Sequence, residues 1–492
     1  MFTKKEKSSS LTPKILLINP PYTLEERYGK NLKHFGGNAE PLGLAYIAAA
    51  ALQDGHEIEI IDAPVQNFTS EMIQKKIINE KIELVGFTML TPMYNNVKRI
   101  VGDIKQNCPE TIIVIGGAHA SALPEETISD IKNDIVCIGE GENTFREIAK
   151  AIEEKKDLTQ IKGICFRQNN QIIRTAPRPF EKSLDVFPPP ARHLLPMDKY
   201  FLTATRVKKS GYCGTVIVAR GCPFGCSYCS HPFGRTFRAH SPERIVNEIN
   251  ELIEKYGAVQ INLEADTLTI NKDFIMSLCD KMIENNIHKK IKWTCESRID
   301  TLSEEMLVKM KEAGCWQISI GVESGVDRLL KIINKGETKK EIEEKVKIIH
   351  KVGISIRAFF MLGLPSETRE DSFETIKFAQ KLNPDWAQFT ITIPYPGTPL
   401  FDILKKSGEI NSFDWKNYKT WGGWTEDNIP YITKGRTLEE LKSMQKYALK
   451  KFYLRPSMFI KFFKRIDSFA TLKKYIIGLL ILLKVNKSQT SE

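Results

Sequence analysis

The strongest constraint on the fold is an alternation of β-rich and helical segments that occurs twice along the chain. In the first third, short apolar runs predict strands at residues 15–19, 57–62, 84–87, 112–116 and 135–139, with segments of helical periodicity between them. Such alternation predicts a parallel, doubly wound, Rossmann-like sheet. Ligands bind these sheets outside the carboxyl ends of the strands.

The second alternation begins near residue 216, after a spacer that contains three consecutive prolines at 188–190. Its predicted strands are residues 216–219, 260–263, 291–294, 316–320, 354–361 and 386–393. Six strand–helix units predict a partial (β/α)6 barrel of the TIM type, with its reactive end at the carboxyl ends of the strands. The fold class is therefore α/β, and a mainly helical region follows the barrel.

A chain of 492 residues is too long for a single hydrophobic core, which stops growing near ~250–300 residues. We predict five segments, which are a disordered tail at 1–12, a Rossmann-like domain at 13–157, a linker at 158–211, a barrel core at 212–400 and an aromatic and basic helical region at 401–492.

Three cysteines with the spacing C-x3-C-x2-C follow the first predicted barrel strand, at Cys222, Cys226 and Cys229. Pro223 and Gly225 allow a short loop to bring the sulfurs together. Iron–sulfur clusters are held by cysteine thiolates, and a cubane cluster with three protein ligands keeps one iron open. The alternative is a structural zinc site, for which His231 is the available fourth ligand.

The segment RGCPFGCSYC at residues 220–229 resembles the signature of the radical S-adenosylmethionine (SAM) superfamily. The resemblance implies a 4Fe–4S cluster on the three cysteines and SAM bound at the open iron. It also implies SAM contacts at Tyr228, Glu264, Asp266, Arg298, Glu323, Ser324 and Leu362. The alternative at this position is that Asp266 or Thr267 caps the helix that follows.

The first third resembles the cobalamin-binding domain of one branch of this superfamily, through residues 14–21, 41–44 and 115–119. The resemblance implies cobalamin contacts at Asn19, Thr88, Leu90, Thr91, Gly116, Gly117, His119, Glu140 and Gly141. The motif D-x-H-x-x-G is absent, so we expect cobalamin without a protein histidine ligand and with Met89 or Leu90 near its lower face. The alternative is a flavodoxin-like domain without cobalamin. NAD is disfavoured because no G-x-G-x-x-G fingerprint is present.

The positive charge is concentrated near the carboxyl end. Residues 450–487 hold ten Lys and Arg against one acid, which is +9 of the chain's net +11 and disfavours a nucleic-acid partner. Apolar runs at 458–466 and 475–483 predict a helix on an anionic membrane surface, or else a terminal helix docked on the barrel. Four aromatic residues lie close together before this tail, at Trp415, Tyr418, Trp421 and Trp424. They predict either the lining of a substrate cavity or a small hydrophobic core.

The resemblance as a whole implies a cobalamin-dependent radical SAM enzyme of the branch that includes anaerobic magnesium-protoporphyrin monomethyl ester cyclase and hopanoid-modifying enzymes. Such an enzyme methylates or oxidatively cyclises an unactivated carbon, here of a hydrophobic lipid or tetrapyrrole-like substrate, with flavodoxin or ferredoxin as electron donor. The alternatives are a radical methylthiotransferase acting on RNA and a non-catalytic corrinoid or redox sensor. Because no secretory signal is visible, we expect a cytoplasmic protein with peripheral contact to the inner face of the membrane.

Overall fold

The computed structural model describes residues 13–29, 36–209, 211–419 and 428–463, together with 472, 476 and 478–480. The predicted tail at 1–12, Trp421, Trp424 and most of the run 475–483 lie outside the described residues. The chain forms two compact units. The first comprises Met1–Tyr22 and Glu40–Lys199, and the second comprises Thr23–Ala39 and Tyr200–Glu492.

The first unit is built on a seven-stranded sheet. Its strands are β1 Ile15–Asn19, β2 Ile58–Asp62, β3 Leu84–Thr88, β4 Ile112–Gly116, β5 Ile135–Cys137, β6 Ile164–Gln168 and β7 Gln171–Arg174. The helices in this part of the chain are α1 Leu24–Tyr28, which belongs to the second unit, and α2 Leu42–Leu52, α3 Ala63–Gln66, α4 Ser70–Glu80, α5 Tyr94–Asn107, α6 Ala118–Ala122, α7 Pro124–Asp130 and α8 Glu142–Glu153.

The strand order is β2-β1-β3-β4-β5-β6-β7, and the first five strands are parallel. The predicted doubly wound sheet is therefore confirmed, with each predicted strand within two residues of its observed bounds. The order reverses between β1 and β3, so the topological switch point lies beside Asn19 and Thr88.

An antiparallel hairpin, β6 and β7, extends the sheet beyond β5. It comes from the segment that the sequence assigns to a linker. The same segment packs on the sheet domain further along, where the Ala191 amide donates a hydrogen bond to the Ala45 carbonyl at 3.0 Å. The first compact unit consequently extends to Lys199, past the predicted domain end at residue 157.

The second unit contains the barrel sheet and a two-stranded ribbon. Its strands are β8 Cys213–Ile217, β9 Ala219–Arg220, β10 Arg238–Ala239, β11 Gln260–Glu264, β12 Lys292–Ser297, β13 Cys315–Glu323, β14 Ser355–Leu362 and β15 Trp386–Ile391. Its further helices are α9 Pro242–Tyr256, α10 Lys272–Glu284, α11 Ile287–Lys290, α12 Glu304–Glu312, α13 Asp327–Ile332, α14 Lys339–Val352, α15 Arg369–Leu382, α16 Pro399–Lys406, α17 Leu438–Tyr453 and α18 Pro456–Phe463.

Six of these strands form one parallel sheet in the order β8-β11-β12-β13-β14-β15, which confirms the partial barrel. Helix caps explain where two of the barrel helices begin or end. Ser241 Oγ accepts a hydrogen bond from the Arg244 amide ahead of α9, and Gly257 ends that helix with φ +67°. Thr338 and Glu341 form a reciprocal capping box at the start of α14.

Helix α17 covers the open edge of the barrel sheet at β15. Tyr453 Oη donates to the Ala387 carbonyl at 2.8 Å and accepts from the Ala387 amide at 3.1 Å. Gln445 Nε2 donates to the Phe389 carbonyl at 2.8 Å. These bonds satisfy backbone groups that an edge strand otherwise exposes.

Two of the four carboxyl-terminal aromatic residues form a small core. Trp415 and Tyr418 are buried with their rings 4.9 Å apart, and Trp415 also packs against the buried ring of Phe401. Of the two predictions for this aromatic group, core packing is therefore the one that applies to these two residues. No helix within the described residues is both long and apolar enough to cross a membrane.

Candidate functional site

The cysteine loop lies between the ribbon strands β9 and β10, in which Arg220 pairs with Arg238. Gly221 opens the loop with φ +88°, and a Cβ there would lie 2.1 Å from the Thr236 carbonyl oxygen, so only glycine fits. The Gly221 amide donates to Asp266 Oδ2 at 2.7 Å, which ties the loop to the end of β11.

The three thiols occupy one short turn. Cys222 and Cys226 are buried, and the Cys229 amide donates to the Cys226 carbonyl at 3.2 Å. Cys229 is exposed at the surface, yet desolvation of its thiol and the negative charges of Cys226 and Cys222 raise its pKa to about 12. Three mutually interacting thiols in one turn fit the donor set of an iron–sulfur cluster. Among the described residues, no group of three or more His, Cys, Asp or Glu side chains is arranged to hold a single metal ion.

Arg298, just beyond β12, places a fixed cation against the loop. Its Nη1 donates to Cys226 Sγ at 3.2 Å, and its Nη2 donates to the Lys335 carbonyl at 2.6 Å. Its guanidinium also lies 3.9 Å from the centre of the Phe224 ring and bonds Asp300. The positively charged guanidinium therefore lies directly against one of the three thiols.

Tyr228 and Glu323 meet on the other side of the loop. Tyr228 Oη donates to Glu323 Oε1 at 2.9 Å, and Lys335 Nζ lies 3.6 Å from the same oxygen. Burial and the negative charge of Glu323 raise the pKa of Tyr228 well above its usual value, so the phenol stays a neutral donor. Glu323 has φ +63°, an uncommon backbone conformation for a non-glycine residue, held here at the end of β13.

Lys335 and Glu337 complete this network, and the sequence analysis missed both. Glu337 is buried 3.3 Å from Arg298 Nη2 and 4.0 Å from Lys335 Nζ. Burial raises the pKa of Glu337 to about 7, although the two cations oppose that rise. The available signal was a pair of opposite charges around Gly336 just before the capping Thr338. Nothing in the spacing indicates that these charges turn inward.

The structure brings some of the predicted SAM-binding residues close to the cysteine loop. Tyr228, Arg298 and Glu323 lie in the network around the cysteine loop, and Asp266 holds the start of that loop. The turn after Asp266 begins at Thr267 without a side-chain cap, so helix capping is not the role seen here.

The other three predicted SAM residues make contacts of a different kind. Glu264 is exposed and accepts a hydrogen bond from Asn262 Nδ2. Ser324 is buried, where its Oγ lies 3.2 Å from Thr375 Oγ1 and accepts from the Val326 amide. The Leu362 carbonyl accepts two hydrogen bonds from Thr392. Contacts of these three residues with SAM stay predictions.

In the first unit, several of the predicted cobalamin residues lie at or beside the switch point of the sheet. Asn19 Nδ2 donates to Asp62 Oδ1 at 2.8 Å, which fixes the end of β1. Gly117 has φ +99°, and a Cβ there would lie 2.8 Å from the Met89 carbonyl oxygen and 3.2 Å from Thr88 Oγ1. Leu90 is 44% exposed whereas Met89 is fully buried, so Leu90 is the apolar side chain that this edge presents. Gly117 therefore lets the loop after β4 pack directly on the loop after β3. We call these two closely packed loops, with Leu90 exposed at their surface, the cradle, and its position outside the carboxyl ends of the strands fits a ligand site.

His119 is packed beneath this cradle. Its Nδ1 lies 3.2 Å from Thr91 Oγ1, and its ring meets the Tyr94 ring edge-on at 5.0 Å. Burial lowers the pKa of His119 to about 4, so the ring is neutral near pH 7. The histidine is 1% exposed, and its backbone amide also donates to the Met89 carbonyl at 3.2 Å.

The remaining predicted contacts lie near the ends of β4 and β5. The Gly116 carbonyl accepts from the Met89 amide at 2.8 Å, which joins β4 to the loop after β3. Glu140 is buried, and a Cβ at Gly141 would lie 2.8 Å from Ile47 Cδ1. Gly141 therefore allows close packing of α2, and its predicted contact with cobalamin stays a prediction.

Comparison with known protein families matches both units. Residues 216–379 match the model of the radical SAM superfamily, and residues 30–149 match that of the B12 binding domain. The chain is 36% identical over 455 residues to an uncharacterized methyltransferase of Pyrococcus horikoshii, covering 91% of this chain and 94% of that protein. It is 27% identical to the anaerobic magnesium-protoporphyrin IX monomethyl ester cyclase of Cereibacter sphaeroides, covering 91% and 71%.

Two solved structures share the fold. The radical SAM methyltransferase TsrM from Kitasatospora setae, solved with cobalamin and a [4Fe–4S] cluster, aligns with a TM-score of 0.69 at 17% identity and 91% and 90% coverage. The cobalamin-dependent radical enzyme OxsB, solved with aqua-cobalamin and SAM, aligns with a TM-score of 0.74 at 16% identity and 94% and 70% coverage.

These matches assign the cofactors as a 4Fe–4S cluster and SAM for the radical SAM region, and cobalamin for the B12 binding domain. The predicted cluster, SAM and cobalamin are thus confirmed, in place of the zinc site and of a sheet without cobalamin. The relatives are methyltransferases and an oxidative cyclase, so the chain is an enzyme rather than a sensor. The chain belongs to the radical SAM superfamily, in the cobalamin-dependent branch of methyltransferases and cyclases that carry a B12 binding domain.

Proposed function

We propose that this enzyme methylates or oxidatively cyclises an unactivated carbon of a hydrophobic molecule, either a lipid or a tetrapyrrole. The observation that carries the site assignment is the bond from Arg298 Nη1 to Cys226 Sγ, which joins the cysteine loop to a network of buried charges. When bound, the cluster and SAM supply a radical that abstracts hydrogen, and cobalamin supplies a methyl carrier.

Within this proposal, the side chains of the network have distinct tasks. Cys222, Cys226 and Cys229 hold the cluster, and Arg298 keeps Cys226 oriented through its hydrogen bond to the sulfur. Tyr228 holds the Glu323 carboxylate in place through its phenol, so that the carboxylate is available to the polar groups of SAM. Asp266 fixes the start of the loop, and Glu264, Ser324 and Leu362 complete the SAM contacts.

For the first unit, we assign cobalamin to the edge formed by the ends of β1, β3 and β4. Gly117 lets the loops after β3 and β4 pack closely at this edge, and Leu90 supplies an apolar contact that is a poor ligand for cobalt. Asn19, Thr88, Thr91, Gly116, His119, Glu140 and Gly141 shape or line the same edge.

The hydrophobic substrate class is supported by the relatives and by helix α18. Two of the relatives are named as bacteriochlorophyllide d methyltransferases of Chlorobaculum tepidum, at 25% and 27% identity, besides the magnesium-protoporphyrin cyclases. Helix α18 exposes Phe459, Ile460 and Phe463. Exposed apolar residues beside lysines favour peripheral contact with an anionic membrane surface, from which such a substrate could be taken. A flavodoxin or ferredoxin is the proposed reductant.

The test is anaerobic purification with cobalamin supplied, followed by iron analysis, corrin absorbance and incubation with SAM and a strong reductant. We expect iron and corrin in the same protein, together with release of 5′-deoxyadenosine. S-adenosylhomocysteine formed in addition supports methyl transfer, whereas its absence in turnovers that yield product supports cyclisation. The matched control is Cys108→Ala, a cysteine outside the loop, which we expect to leave all of these signals unchanged. Wild-type protein with a full cluster that releases no 5′-deoxyadenosine contradicts the proposal.

A further inference from the structure

One face of the barrel sheet is apolar and covered by helices, and the opposite face is polar. Phe360 and Phe389 stack at 5.1 Å, and Phe389 meets Phe452 of α17 at 6.2 Å, which identifies the helix-covered face. Because side chains alternate along a strand, Arg357 and Gln388 project to the inner face. Residues paired in register on neighbouring parallel strands share a face, so Asn262, Thr294, Glu296, Gln317 and Ser319 line the inner face as well.

Arg357 is the unusual member of this lining. It is only 9% exposed, and its Nη2 donates to Gln388 Oε1 at 3.0 Å while its guanidinium lies 4.7 Å from the centre of the Phe359 ring. Its Nη1 is buried and has no hydrogen-bond acceptor within the described part of the chain. Burial and the positive charge of Arg206 lower the pKa of Arg357 to about 10.

The nearest carboxylate in the same row belongs to a different ion pair. Glu296, Ser319 and Arg357 occupy successive strands in register, so that Glu296 is two strands away from Arg357. Glu296 is paired with Arg206, which lies in the segment whose Thr205 carbonyl accepts a hydrogen bond from Gln317 Nε2 at 3.0 Å. With Glu296 occupied by Arg206, Arg357 forms no ion pair among the residues that the structure describes.

A buried charge without an ion-pair partner is costly, so a buried guanidinium that keeps a free donor on the polar face of the sheet is a candidate ligand site. A guanidinium with one free donor edge suits an anionic oxygen group, which it binds through charge-assisted hydrogen bonds. The partly exposed side chains of Arg206 and Glu296 show that this row is reached by solvent, so a ligand can also reach it.

We propose that the substrate carries an anionic oxygen group, a carboxylate or a phosphoryl group, that binds Arg357 on the inner face of the barrel sheet. The inference rests on the proposed function, since it takes the barrel as the substrate site. It narrows the substrate class to amphipathic molecules. A carboxylate-bearing tetrapyrrole meets this requirement, and a neutral hydrocarbon does not.

The test measures binding of two matched probes to the reconstituted holoenzyme by anaerobic equilibrium dialysis. The probes are magnesium-protoporphyrin IX monomethyl ester, which has one free carboxylate, and the dimethyl ester, which has none. A charge-assisted hydrogen bond at a buried site predicts that the monoester binds roughly tenfold or more tightly than the diester. Inorganic phosphate is the second arm. Phosphate that displaces the monoester assigns the site to anionic oxygen groups in general, and failure to displace it assigns the site to carboxylates.

Two variants test the role of Arg357 by different routes. Arg357→Met removes the charge and is expected to bring the monoester to the affinity of the diester. Gln388→Glu leaves Arg357 in place but gives it an internal carboxylate partner, and is expected to have the same effect if Arg357→Met fails to fold. The matched control is Arg369→Met, which removes an exposed arginine that also lies over a phenylalanine, Phe373, on the outside of the barrel.

Wild-type holoenzyme overturns the inference if it binds the two esters equally and also binds no phosphate, or if its preference survives both variants. A failure of the proposed function is detected by a different measurement, because wild-type protein would then release no 5′-deoxyadenosine. An enzyme that cleaves SAM but ignores the anionic group therefore loses only this inference.

Discussion

The two parallel sheets of this protein use their carboxyl edges in opposite ways. In the second unit, buried charges surround the cysteine loop, and these are Arg298, Glu323, Lys335 and Glu337. In the first unit, the corresponding edge presents Gly117, Leu90 and a neutral His119. The same element of topology therefore carries fixed charges in one unit, and closely packed loops with one apolar and one neutral side chain in the other.

The largest effect expected from this comparison follows loss of a cluster ligand. Cys226→Ala removes a cysteine that also anchors Arg298, and we expect it to abolish cluster binding and 5′-deoxyadenosine release. The corrin absorbance of the first unit should persist, because that edge uses none of the same residues. Iron analysis and visible spectroscopy on one anaerobic preparation measure both. Retained SAM cleavage contradicts the ligand assignment, and simultaneous loss of corrin contradicts the independence of the two edges.

The next effect tests the cradle of the first unit. Gly117→Ala places a Cβ 2.8 Å from the Met89 carbonyl oxygen at φ +99°, and the backbone strain alone costs about 1–3 kcal/mol. We expect corrin binding to fall strongly while the iron content stays at the wild-type level. Gly102→Ala is the matched control, because Gly102 lies within α5 and a Cβ there meets nothing within 4 Å. Cobalamin that binds equally well to the Gly117→Ala protein would falsify the placement at this edge.

The same contrast explains how much the sequence could predict. Strand–helix alternation predicted both sheets, because buried parallel strands require continuous apolar runs such as Ile15–Asn19. The ends of helix α9 are marked chemically in the sequence, by Ser241 before its first turn and by Gly257 after its last. The cysteine loop was visible because its three ligands are close in sequence.

The parts that the sequence could not predict depend on contacts between distant segments. Lys335 and Glu337 contact the site only because the connection after α13 folds back toward Arg298. Arg298 precedes Lys335 by 37 residues in the sequence. In the sequence, Arg357 is a single charged residue within an apolar strand. Only the strand register of the structure shows that it lies beside Gln388 and in the same row as Glu296. Which of Met89 and Leu90 reaches the surface was equally undecided until burial separated them.

We expect a moderate effect of pH on the stability of the first unit, through its buried neutral histidine, His119. The pKa of His119 in the folded protein, about 4, lies below the ordinary value of 6.5, so folding disfavours protonation. The resulting stabilisation is present above pH 6.5 and is lost as the pH falls toward 4, by about 2–3 kcal/mol. Urea unfolding followed by circular dichroism from pH 7 to pH 4 should show this loss in wild-type protein and a smaller one in His119→Asn. His193→Asn, which removes an exposed histidine of the same unit, is the control and should behave as wild type. Equal pH dependence in all three proteins contradicts the assignment.

The smallest effect sharpens the contrast at the charged edge. Tyr228→Phe removes the hydrogen bond to Glu323 Oε1 and leaves the aromatic ring and the Lys335–Glu323 pair in place. Loss of one such bond to a charged acceptor costs roughly 1.5–3 kcal/mol, of which an accessible site recovers part through water. We therefore expect the Kd for SAM to rise by roughly tenfold, with iron content unchanged, as measured by equilibrium dialysis on the reconstituted protein. If the affinity for SAM is unchanged, Glu323 keeps its orientation through Lys335 alone, and the phenol has no part in holding the carboxylate.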